Sequence, residues 1–359
     1  MKNKILVIIF VVFVSGFGII NILVPDKEIS YSERRKLMTF PKFEFQSDWI
    51  EDVEQYFLSH FVLRDEFRSL KARYNYGILR KLDNNGVQIK DDFIFKNNYP
   101  TDRESINNFC QKITKVSSSF TENNKVYMMI IPDKNYYFGE GDFLQLDYDY
   151  IYDKIKFKNI KMLDVREILE LNDYYKSDTH WRQERLLKVV DYMGEEMGLV
   201  PGDERYKKNE YSSFYGVYAK DNPNKIKGEK LFYLTSDTLN RARVEYLENA
   251  TLTSVYNTSK LKGMDSYEVY LDGASSYITI YNDLAETERE LVVFRDSFGS
   301  SLVPLLVDKY KKITVIDNRY ISSDLYHKYL NFDNQDILFM YSTLVVNDSR
   351  SLKGWGVTL

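Results

Sequence analysis

Two short stretches hold an aspartate, a histidine and a serine, the side chains that together carry acyl transfer. The first is "KSDTHW" at 176–181, which sets Asp178 and His180 two positions apart. On an α-helix such residues point about 200° away from each other, whereas in an extended segment they share a side. An aspartate beside a histidine fixes the tautomer of the ring and stabilises the imidazolium, leaving the other nitrogen to take a proton. The second stretch is "FRDSFGSSLVPLL" at 294–306, with Ser297 after the apolar run 290–294. A serine on a strand-to-helix turn stands above the sheet edge, where the free N–H groups of the helix start face whatever it attacks. Such donors stabilise the oxyanion of acyl transfer. The turn matches half of the G-x-S-x-G elbow, because Arg295 replaces its first glycine.

Each stretch also has a plainer reading. Ser297 or Asp296 suits the N-cap of the next helix, and Asp178 suits a cap with His180 packed on Trp181. A serine is a weak nucleophile without a base, so the three residue types are needed together. The chain has three histidines. His327 falls in a helical segment without an adjacent acid on its face, and His60 lies near the N-terminal apolar run, which leaves His180 as the base. No HxxH or HxxxH spacing occurs, so no metal site is signalled.

These residues need a scaffold, and the C-terminal part supplies a rhythm for one. Strand 290–294, helix 298–310, strand 313–317, helix 321–331 and strand 337–341 predict a β-α-β-α-β unit and a parallel sheet. "KVYMMII" at 125–131 is a continuous apolar run suited to a buried parallel strand, preceded by a helical pattern over 104–120. A strand at 159–165 and a helix over 184–199 fit the same plan. Residues 200–285 are polar, tyrosine-rich and briefly alternating, which predicts a β-rich insertion. The strand tips hold Pro132-Asp133-Lys134, Arg295-Asp296-Ser297, Asn318-Arg319-Tyr320 and Ser342-Thr343, and a parallel sheet gathers such tips at one edge, where ligands bind. Lys134, Asp296, Arg319 and Tyr320 are the substrate-binding candidates there.

The chain has 359 residues, 44% of them hydrophobic, enough for one large domain or two modest ones. A net charge of −4 without a long basic run argues against nucleic acid as a partner. The single cysteine, Cys110, excludes an intrachain disulfide. Residues 5–24 carry no charge and follow Lys2 and Lys4. That length spans a bilayer, and the basic flank keeps the first four residues cytoplasmic. The run ends in "NILVPDKE" without a small-x-small site, which favours an uncleaved signal anchor over a signal peptide. Residues 25–80 then form a juxtamembrane linker and two short amphipathic helices, and residues 81–359 the main domain outside the cytoplasmic membrane.

At "DTHW", "VVFRDSFGSSLVPLL", "VIDNRY", "IPDKNYY", "DILFMYST" and "SERRKLMTFPKF", in this order-preserving combination, the sequence resembles the SGNH-hydrolase-like alginate O-acetyltransferases and the bacterial DHHW family. Thr179 stands where the latter's name expects histidine, and Arg295 where G-D-S has glycine. The resemblance implies an α/β, circularly permuted SGNH-like sheet flanked by helices, with Ser297, His180 and Asp178 as the triad. It implies acetyl transfer to hydroxyls of an extracellular polysaccharide or cell-wall glycan in a bacterial envelope, through an acetyl-serine. No cofactor is implied. The acetyl group would come from a membrane-bound O-acyltransferase partner, with a glycan synthase complex a further associate. Deacetylation by the same residues, or non-catalytic glycan binding and assembly, are the other readings.

Overall fold

The apolar N-terminal run, rich in Ile, Val and Phe, forms one helix, α1 (Lys2–Leu23). Within Lys4–Leu23 an 18-residue window has a mean hydropathy of 2.8 and none of that window is buried, so the helix is long and apolar enough to cross a membrane. The computed structural model describes residues 2–30, 33–43, 48–81, 83–139, 141, 143–200, 205–221 and 228–353. The two amphipathic patterns that follow the linker form α2 (Trp49–His60) and α3 (Arg64–Arg73). Phe17 of α1 packs edge-on against Phe61 at 5.5 Å between centroids, and Asn21 Oδ1 accepts the Val62 N–H at 2.7 Å. The end of α1 is thereby fastened to the α2–α3 corner. Within the linker, Ile29–Ser30 pairs antiparallel with Arg35–Lys36.

The strands β1 (Lys125–Ile131), β2 (Lys161–Met162), β3 (Arg243–Tyr246), β4 (Asn249–Thr253), β5 (Tyr277–Tyr281), β6 (Glu290–Arg295), β7 (Lys312–Ile316) and β8 (Asp336–Ser342) build one sheet. Their spatial order is β4-β3-β5-β7-β6-β8-β1-β2. The run from β7 to β2 is parallel, as its apolar strands predict. Successive residues of one strand enter opposite cores. Leu291, Val293, Leu338 and Met340 face one cluster, while Val292, Phe294, Ile337, Phe339 and Tyr341 face the other. Helix α4 (Arg103–Ser117) covers the second face with Ile106, Phe109 and Ile113. Helix α5 (Leu187–Met197) covers the first with Val189, Val190, Met193 and Met197. Each such fully buried side chain stabilises by about 1.5–3 kcal/mol, and this double cover explains why the strands read as unbroken apolar runs.

The structure departs from the sequence reading in places with local causes. The helix predicted at 298–310 is one α-turn, Gly299–Leu302, tightening into a 3₁₀ segment, Val303–Lys309, where Pro304 removes a donor. Residues 321–331 keep only one helical turn, Ser323–Tyr326, and the strand expected at 159–165 shrinks to the two residues of β2 at the sheet edge. The β-rich segment 200–285 divides in two, with part of it outside the described residues. Lys207–Phe214 and Glu229–Thr235 pair as a separate hairpin. By contrast, β3, β4 and β5 extend the main sheet antiparallel beside β7. An alternating strand has the same pattern in a free hairpin as on a sheet margin, so the sequence alone does not separate them.

Candidate active site

Two loops carry the chemistry-bearing residues. Ser297 lies in the turn after β6, with Asp296 between it and the strand's end at Arg295. Asp178 and His180 lie in a tight loop closed by the Tyr174–Trp181 bridge and by the Tyr175 N–H, which donates to the His180 carbonyl at 3.1 Å. This stretch is neither helical nor the cap of α5. Trp181, fully buried, donates Nε1–H to the Phe298 carbonyl at 3.0 Å and to Ser301 Oγ at 2.9 Å. The "HW" dipeptide therefore clamps the first loop onto the second.

His180 Nδ1 lies 2.6 Å from Asp178 Oδ1, and His180 Nε2 lies 2.8 Å from Ser297 Oγ. An ionised carboxylate only accepts, so Nδ1 carries the proton and Nε2 is left to accept from the serine. Burial pushes the Asp178 carboxyl up, but the charge and hydrogen bond of His180 and the charge of Arg34 outweigh it and hold it well below the usual carboxylate range. Its Oδ1 also accepts the His180 N–H at 3.0 Å, and its Oδ2 accepts the Val217 N–H at 2.8 Å and Arg34 Nη1 at 3.1 Å. Tyr267 stacks on the imidazole at 4.0 Å and 10° between planes, and its hydroxyl lies 2.8 Å from Ser301 Oγ. Edge and face of the ring are both fixed.

Gly216 shows how closely this loop is packed. A Cβ there would stand 2.3 Å from the Ser177 carbonyl carbon and oxygen and 2.4 Å from the Asp178 nitrogen. Gly216→Ala is expected to cost about 3 kcal/mol, because backbone rather than a flexible side chain must move. Urea unfolding measures this, and an unchanged midpoint would contradict the packing argument.

The four strand-end loops do meet at one edge. Asp133 Oδ2 accepts from Thr343 Oγ1 at 2.8 Å, and Asp296 Oδ2 accepts from the Ser342 N–H and hydroxyl, both at 2.7 Å. Arg295 reaches towards Asp317, with Nη1–Oδ2 at 3.7 Å. The polar residues expected to meet substrate are mostly spent on this framework. Lys134 is buried with Nζ on the carbonyls of Ile94, Tyr175 and Lys176, and desolvation pushes its pKa down to about 7. Buried Asp296 ties its loop to β8, and Arg319 pairs bidentately with Asp317 at 2.9 and 2.7 Å. Only Tyr320, 46% exposed, faces solvent broadly.

Arg295, in the place of the elbow glycine, is fully buried, and its Nη1 donates to Ser300 Oγ at 2.9 Å. It props the turn from beneath. The Phe298 N–H donates to Asp296 Oδ1 at 3.0 Å, so the amide that the elbow pattern would offer an oxyanion is already engaged. The Ser297 N–H has no hydrogen-bond partner among the described residues and is the available backbone donor. Sequence reasoning missed Arg34, Gly216 and Tyr267, none of which has a local pattern that points to His180.

No family model matches the sequence, and no curated protein matches it. Among solved structures, a DHHW family protein from Eubacterium siraeum is similar at a TM-score of 0.61 and 19% identity, over 75% of this chain and 95% of that one. Bacillus cereus PatB1 is similar at a TM-score of 0.58 and 20% identity, over 75% of this chain and 98% of that one. The same protein with a sulfonyl adduct gives a TM-score of 0.57 and 20% identity, over 72% of this chain and 97% of that one. The DHHW-type resemblance read from the motifs is thus met by a likeness of architecture: this chain shares the α/β fold, a mostly parallel sheet flanked by helices, of the DHHW family protein and PatB1.

Proposed function

We propose that the chain is a membrane-anchored O-acetyltransferase that works outside the cytoplasmic membrane on hydroxyls of a polysaccharide or cell-wall glycan. The observation that carries this reading is the unbroken chain Asp178–His180–Ser297, with both links within hydrogen-bond distance. Ser297 Oγ attacks the carbonyl carbon of an acetyl donor while its proton passes to His180 Nε2. The Ser297 N–H receives the developing oxyanion. As the intermediate collapses, the leaving group takes the proton from Nε2 and the acetyl-serine remains. A sugar hydroxyl then attacks that ester, gives its proton to Nε2, and Ser297 leaves with the proton returned. Asp178 stays ionised throughout and stabilises the imidazolium of each step.

Helix α1 would hold the site beside a membrane-bound O-acyltransferase that exports the acetyl group, and beside the emerging polymer. The test uses the purified full chain in detergent with an activated acetyl ester and candidate glycans. Intact-protein and peptide masses are expected to show one acetyl group on Ser297 and ester on the glycan. Acetate release with no transfer to any glycan would assign hydrolysis instead. Turnover with no adduct on Ser297 would remove the serine mechanism.

A further inference from the structure

The charged linker after α1 contributes a side chain to the Asp–His pair itself. Its short antiparallel pair, Ile29–Ser30 with Arg35–Lys36, has Arg34 in the left-handed region at φ 53°. A non-glycine residue there costs about 1 kcal/mol and persists only where surrounding contacts fix it. Those contacts are specific. Arg34 Nη1 donates to Asp178 Oδ2 at 3.1 Å, and Nη2 pairs with Asp265, with only 13% of the arginine side chain exposed. Asp265 in turn caps the 3₁₀ turn Ser266–Val269, its Oδ1 accepting the Tyr267 N–H at 3.0 Å. Tyr267 is the ring stacked on His180. One guanidinium therefore joins the carboxylate at the edge of the imidazole to the turn that supports its face.

The neighbours of Arg34 hold the hairpin in place. Glu33 accepts from Arg64 and Arg68 of α3 and from Arg35 Nε at 2.6 Å. Burial pushes the Glu33 carboxyl up, yet the hydrogen bonds from Arg64 and Arg35 and the nearby Arg68 outweigh it and keep the carboxyl below its usual range. In the sequence "ERR" the first residue thus grips the membrane-proximal helices and the second grips the main domain.

We propose that Arg34 is a positioning residue for the Asp178–His180 pair, so that the membrane-proximal hairpin completes the site and the main domain alone holds it imperfectly. This rests on the serine reading above. Arg34 touches no reacting atom and acts by fixing where the Asp178 carboxylate and the Tyr267 ring sit. A fork that binds two carboxylates at once is not replaced by a point charge, so lysine restores only part of the effect.

The experiment compares the full chain in detergent with its Arg34→Ala, Arg34→Lys and Ser297→Ala variants on a small acetyl ester, together with hydrogen exchange of peptides covering 176–181 and 263–270. Arg34→Ala is expected to lower kcat by about 10- to 100-fold, the size expected for a small misplacement of a catalytic pair, with KM nearly unchanged. Arg34→Lys should fall between, millimolar guanidinium ion should recover part of the alanine variant's kcat, and both peptides should exchange faster. Wild-type kcat in Arg34→Ala, with Ser297→Ala inactive, would overturn the positioning role. If Ser297→Ala is as active as wild type, the serine reading fails instead, and hydrogen exchange alone judges the clamp: faster exchange in both segments upholds it, unchanged exchange overturns it.

Discussion

Ser297→Ala is expected to lower acetyl transfer by about 10⁴-fold or more while leaving the chain folded. Removing the nucleophile of a Ser–His–Asp unit leaves only the rate that binding and oxyanion donors supply. The structural cost is small, because the Ser297 hydroxyl bonds to His180 Nε2 and is only half-buried. One such bond contributes about 1 kcal/mol, so the thermal midpoint should move by only a few degrees. Trp181 still clamps the two loops through Phe298 and Ser301, and the rest of the turn has no reason to shift. Glycan acetylation in cells, measured beside the melting curve of the purified variant, checks both halves. A folded Ser297→Ala chain that sustains full acetylation would leave the protein a binding or assembly role.

Asp178→Asn should reduce turnover by a comparable factor, about 10⁴-fold, and this variant should also lose stability. Four donors converge on the two carboxylate oxygens: the His180 N–H and Nδ1–H on one, and the Val217 N–H and Arg34 on the other. An amide must turn its NH₂ towards one of these pairs. Turned to His180, it forces the proton onto Nε2, and the ring no longer takes the serine proton. Turned to Arg34, it places donors face to face with a buried cation. Either way a buried donor goes unmet, at about 1–3 kcal/mol. Because the Asp178 carboxyl is held below its unfolded value of about 3.9, its stabilisation is complete above that pH and fades as pH falls through the lower folded value. The asparagine variant should lack that acid-side loss. Steady-state kinetics near neutral pH and melting from about pH 5 down to about pH 1 would check this, and wild-type turnover in Asp178→Asn would remove the aspartate from the mechanism.

Much of the site was legible because its pieces are local. D-x-H brings two partners together within three residues, and an apolar run followed by R-D-S marks a strand tip whatever the rest of the fold does. The parallel strands were legible for a related reason, since two-sided burial leaves apolar runs that need no partner to recognise. What stayed hidden depends on distant pairing. Arg34 meets Asp178 across 144 positions, and nothing in "SERRKL" distinguishes it from a solvated linker arginine. Lys134 and Arg319 read as free cations beside the site. Carbonyls in one case and Asp317 in the other claim them, and those partners become visible only once the loops are folded together. Tyr267 lies in the tyrosine-rich stretch whose alternation fits hairpin and sheet margin equally.

The fastening of α1 to the α2–α3 corner through Phe17, Phe61 and Asn21 bears on how such a protein would choose its substrate. Were α1 to sit in a bilayer, this joint would act as a ruler. The hydroxyl of Ser297 would keep a set stand-off from the lipid surface and sweep a thin shell instead of a volume. A sugar unit would then be selected by the height at which it passes as much as by its shape. A polymer threading outward would be marked at one level of its path, and loose chains elsewhere in the envelope would go untouched.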